Sequence, residues 1–82
     1  MAPRRIKLIE RKLGKQRALG QATHGEDLIE IDPRQKSRER MDTVIHEVIH
    51  LLAPHLSEEV VISHAATLSD TLWRDGWRRV ER

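Results

Sequence analysis

Two histidines four residues apart, with a glutamate beside the first, form the segment His46-Glu47-Val48-Ile49-His50. On a helix, positions four apart lie one turn from each other on one face. Neutral imidazoles so placed can both reach one zinc ion at ~2.0–2.1 Å. Glu47 would then stand beside the ion, where a carboxylate can hydrogen-bond a water and act as general base. The chemistry this spacing points to is zinc-assisted hydrolysis, with Zn2+ as the cofactor.

The surrounding residues supply the helix. Met41, Val44, Ile45, Val48, Leu51 and Leu52 recur at three- and four-residue spacing, which predicts an amphipathic helix over about 37–53. Pro54 ends it. With His46 at 0°, His50 falls at about 40° and Glu47 at about 100°, while the apolar positions fall between about 140° and 300°. The two histidines therefore occupy a polar wedge in an otherwise apolar helix.

A catalytic zinc takes three protein ligands and a water. A second helix, about 57–75, starts after Ser57 and carries Glu58 and Glu59 in its first turn. Its expected apolar stripe is Val61, Ala65, Leu68 and Leu72, with Gly76 as the stop. Glu58 sits some 45° from the centre of that stripe, His64 about 75° and Glu59 about 145°. Glu58 leads as third ligand. His64, Glu59 and His55 stay open as alternatives, and both glutamates also suit a helix first turn with no metal. Asp42 and Asp70 are either supports for a ligand histidine or ordinary surface carboxylates.

Before the helices, Ile6–Ile9, Arg17–Ala22 and Leu28–Asp32 read as short strands, with turn chemistry at Gly14-Lys15 and at Thr23-His24-Gly25-Glu26. A small antiparallel sheet of about three strands over 6–32, followed by two packed helices, is an α+β fold. At 82 residues the chain is expected to be one minimal domain, 1–82.

No cysteine is present, so disulfides and thiolate zinc sites are excluded, while a metal held by His and carboxylate or homo-oligomerisation would serve as a staple. Charged residues make up 34% of the chain, yet the net charge is only +2, as suits solvated faces. Nucleic-acid binding is disfavoured because Phe and Tyr are absent and only Trp73 and Trp77 remain for stacking. Those two, four apart, are expected to share a helical side, more as packing than as a stacking platform. No apolar run approaches the ~20 residues of a membrane span, and the start lacks a signal-peptide pattern. The expectation is a cytoplasmic protein with no membrane partner.

The strand Leu28–Asp32, the segment Thr43–Leu51, the run Pro54–Val61 and the C-terminal Leu72–Arg78 together resemble small phage-type zincins. They share a logic with minigluzincins and with SprT-like and ImmA/IrrE-like domains. The likeness covers most of the chain, and its specific element is His-Glu-x-x-His. It implies a sheet whose edge strand holds an extended peptide, His46, His50 and Glu58 as ligands, Glu47 as base, and the host cytoplasm as location if the chain is phage-encoded. The sequence departs from these families in having no third His at metzincin spacing, no Gly after His64, and Ile62 and Ser63 where a supporting acid often stands. It also has no Tyr, so His24, His55, His64 or an Arg would have to polarise a substrate carbonyl.

The function expected is a zinc metallopeptidase acting on a peptide or protein substrate. Its substrate would lie along Leu28, Ile29, Glu30 and Ile31 if that strand is an edge. A zinc-stabilised interaction module without catalysis is the alternative, and a basic nucleic-acid-binding domain the less favoured one.

Overall fold

The computed structural model describes residues 1–14 and 19–80. Strands β1 (Lys7–Glu10), β2 (Gly20–Thr23) and β3 (Leu28–Ile31) are followed by helices α1 (Ser37–Leu52) and α2 (Glu58–Arg74). The α+β order and both helices fall where the periodicity places them. Strand β2 begins at Gly20, later than expected. Arg17 and Ala18 of the expected strand, and Lys15 of the expected turn, lie outside the described residues.

The sheet order is β1-β3-β2. β2 and β3 form an antiparallel pair around the turn His24–Asp27, with Thr23 opposite Leu28. β1 instead pairs in parallel with β3, Lys7 opposite Leu28 and Glu10 opposite Ile31. The sheet is therefore mixed rather than wholly antiparallel. The connection 11–19 is long enough to leave a gap of two strand spacings, about 10 Å, between β1 and β2. The most apolar strand fills that gap. Arg4 fixes the direction of β1, since its Nε donates to both carboxylate oxygens of Asp27 at 3.0 Å, and the Lys7 N–H reaches the Asp27 carbonyl at 2.8 Å.

One expectation fails here. β3 is the central strand, with both edges paired, and Ile29 and Ile31 are fully buried. Leu28, Ile29, Glu30 and Ile31 thus cannot add a peptide as a further strand. A run this apolar gains most by burial on both edges and one face. The open edge next to α1 belongs to β2.

Ile29, Ile31 and Leu51 make the core, with Ile6, Ala22, Val44 and Val48 against it. On the other sheet face, Glu30 is covered by an ion pair from Arg11 and a hydrogen bond from Gln21 at 3.3 Å. Just past β3, buried Asp32 collects the Leu13 N–H, the Arg34 N–H and the Arg34 guanidinium. The 11–14 stretch and the start of the link to α1 are tied to the sheet through this one carboxylate.

Ser57 caps α2 by accepting the Val60 N–H at 3.3 Å. The buried face of α2 is Val61, Ala65 and Ser69, while Leu68 and Leu72 of the expected stripe are partly exposed. Small residues at two of these positions admit α1 closely, and the Ser69 hydroxyl donates to Asp42 across the contact at 3.2 Å. Arg38 of α1 bridges to Asp70 of α2 at 3.0 Å. At the far end, Gly76 has a φ of +94°, which lets its N–H reach the Trp73 carbonyl and the Trp77 N–H reach that of Leu72. The chain leaves the helix there, so Trp77 does not share a helical side with Trp73. Among the described residues, no helix is long and apolar enough to cross a membrane.

The Arg34 side chain, then the Arg34 N–H, hold the Asp32 carboxyl well below the usual carboxylate range, against the effect of burial. A depressed folded-state pKa contributes stability above the unfolded value, about 3.9, that is lost as pH falls toward the folded one. The melting temperature is expected to drop below about pH 4. Asp32→Asn should melt lower at pH 7 and show a shallower acid slope; an unchanged slope would remove Asp32 from this role.

Candidate metal centre

The site grows from α1. Val44, Val48 and Leu51 pack on the sheet side and α2 closes on another, and the wedge between them carries His46, Glu47 and His50. The Nε2 atoms of His46 and His50 lie 3.1 Å apart. The rings meet edge-on, with centroids 4.8 Å apart and planes at 68°. Both nitrogens thus point at one region of space rather than stacking side by side.

Glu58 closes the group. Its Oε1 lies 2.8 Å from His46 Nε2 and its Oε2 2.9 Å from His50 Nε2. The buried stripe of α2 centres only about 20° of helical rotation from Glu58, nearer than the expected stripe. The cap at Ser57 starts the helix one residue before it, so Glu58 projects from a first turn that faces α1. Among the described residues, His46, His50 and Glu58 are the group whose donor atoms converge within 4.8 Å. The structure does not bring Glu59, His64 or His55 into it; all three are exposed.

This donor set fits a zinc ion. Tetrahedral ligands at ~2.0–2.1 Å stand roughly 3.3 Å from one another. The three N···N and N···O separations, 2.8–3.1 Å, are within about half an ångström of that. Two imidazoles and a carboxylate also leave a fourth position for water or substrate. Glu58 is 59% exposed while His46 and His50 are 19% and 25% exposed, so the open side lies toward solvent at Glu58.

Glu47 is half-buried, and burial pushes its carboxyl up from the ordinary value; the nearby His46 and His50 pull it back, Glu58 adds to the rise, and His24 opposes it. A raised carboxyl beside a cluster of donors is suited to taking up a proton. Its position depends on a residue that pattern reading passed over. A Cβ on Gly20 would stand 2.5 Å from Thr43 Cγ2 and 3.1 Å from Glu47 Cγ. β2 can lie this close to α1 only because Gly20 lacks that atom. Leu19, Gly20, Asp42, Thr43, His46 and Glu47 line a cavity of about 220 Å³ between strand and helix. A glycine inside a short strand was the available signal.

The two candidate supporting acids are engaged elsewhere. Asp70 sits between Arg38 and Arg74, and Asp42 accepts from Ser69 while lining the cavity beside His46. His24 lies in the turn that joins β2 and β3. No protein-family profile, no curated protein and no solved structure matches the chain at a significant level.

Gly20→Ala should destabilise the fold by about 1–3 kcal/mol, the usual cost of forcing an extra carbon into a packed contact. Chemical denaturation measures it. A variant as stable as the parent would show that β2 and α1 can separate freely.

Proposed function

We propose that this chain is a zinc-dependent peptidase of minimal zincin type, as the resemblance of its His-Glu-x-x-His helix suggests. The convergence of His46 Nε2, His50 Nε2 and Glu58 within hydrogen-bond distance of one another carries the reading. These three residues would hold the ion. When bound, zinc supplies Lewis acidity, polarising a carbonyl oxygen and acidifying a water.

The chain's own residues supply the remainder. Glu47 takes the proton of the attacking water on its raised carboxylate and returns it to the departing amine. The outer edge of β2, beside Glu47, offers backbone groups to an extended peptide, in place of the central β3. His24, in the turn that follows β2, would take the part that a tyrosine plays in polarising the carbonyl.

A zinc-stabilised module without catalysis draws support from one feature: the ion would cross-link α1 and α2 in a small chain with a modest core. Both readings predict zinc, and Glu47 separates them.

Protein prepared without added zinc is expected to hold one zinc per chain by metal analysis. His46→Ala and Glu58→Ala should each weaken binding by at least about 100-fold, beyond the loss of a mere supporting partner. At free zinc 100 times the Kd, binding adds about 2.7 kcal/mol, so chelation should lower the melting temperature by roughly 10–20 °C. Glu47→Gln should keep the metal and lose cleavage of a mixed peptide library. Zinc-loaded parent with no cleavage favours the non-catalytic module, and no zinc at all overturns both.

A further inference from the structure

A groove with an apolar floor lies away from the metal centre. Its volume is about 430 Å³, and Met41, Val44 and Ile45 of α1 with Leu72 and Trp73 of α2 make its floor. Ile45 is turned about 100° from His46 on α1, and about 20 Å of helix separates Glu58 from Leu72. The two sites share α1 and α2 but neither a mouth nor a residue.

The rim is distinctive in charge. Arg40, Arg78 and Arg79 line the groove, and no acidic residue does. Glu10, just outside, offers one carboxylate oxygen to both Arg40 at 3.3 Å and Arg79 at 2.8 Å. Arg78 stacks on Trp73, its guanidinium carbon 3.5 Å from the ring centroid, and among the described residues donates to the carbonyls of Trp73 and Trp77. Among the described residues, Arg40 and Arg79 thus share one carboxylate, and Arg78 has none. Arg40 moreover keeps its Nε–H buried with no acceptor among the described residues. Burying a donor without a partner is costly, which leaves the Arg40 guanidinium incompletely satisfied where it lines the groove. Trp77 stands over the mouth, 60% exposed.

From this we infer that the groove is a docking site for a partner peptide segment that places an apolar side chain between carboxylates. The apolar floor takes the side chain, Trp77 closes over it, and Arg40 and Arg79 take the acids. A nucleic-acid strand fits less well. The floor is mainly aliphatic, and Trp73 is already covered by Arg78. The site acts independently of the metal, so it stands or falls apart from peptidase activity.

Both tryptophans of the chain line this groove, so their fluorescence reports on it directly. The probe is an acetylated peptide Asp-Glu-Leu-Phe-Glu-Asp, titrated into the full chain with zinc and again with chelator. The expected result is saturable change in tryptophan emission, weakened by salt, with Kd raised at least about tenfold in Arg79→Glu. Trp77→Ala, followed by anisotropy of a labelled peptide, should weaken binding as well. Both side chains are largely exposed, and far-UV circular dichroism checks that each variant keeps its fold. Equal binding of the same peptide with Lys in place of its acids would overturn the proposal. So would tighter binding of an oligothymidylate, or affinity unchanged in both variants.

Discussion

The chain depends on α1 being held on two fronts at once. Val44, Val48 and Leu51 lie on the sheet, while α2 closes on another side through Val61, Ala65 and Ser69. The stretch of α1 between these two contacts carries His46, Glu47 and His50. Each contact also serves the site directly. The approach of β2 at Gly20 packs against Glu47, and the approach of α2 delivers Glu58. In so small a domain the same packing must give stability and position the polar groups, since there is little interior to spare.

That economy explains why the N-terminal third is pinned by ionic contacts rather than by a second core. Arg4 on Asp27, Arg11 on Glu30 and Arg34 on Asp32 attach segments with few large apolar side chains to the edges of the central strand. β1 itself is exposed along its length. Such pairs add modestly when solvated and more where one partner is buried, as Glu30 and Asp32 are. They also set direction, which apolar contact does poorly, and the parallel course of β1 follows from the Arg4 contact.

Much of the helical half was legible in the sequence. The spacing of Val44, Val48 and Leu51, the stop at Pro54 and the cap at Ser57 are local signals, and they placed both helices within a residue or so. Glu58 could be ranked above Glu59 by angle alone, because a helix makes angle a function of residue number. The sheet was less legible. Strand order is decided by which strand gains most from burial, a comparison between segments that no single segment displays. Leu28–Ile31 was visible as the best strand, but its being best is what sent it to the centre and away from any substrate. The exit at Gly76 likewise separates Trp77 from Trp73, which even spacing along a helix would have kept together.

Two of the three convergent donors come from α1 and the third from α2, joined only by the short turn 53–57. The packing of the two helices thus sets how far apart these donors stand. A zinc ion, with ~2.0–2.1 Å bonds and four ligands, would suit a contact in which Ala65 and Ser69 let the helices approach closely. An ion such as calcium wants six to eight oxygens at 2.3–2.6 Å, and would have to lever α2 away from α1 and open the seam at Ser69 and Asp42 to gain them. Under the zinc reading, the packing along this seam, well away from the donors themselves, would bear on which metal they accept.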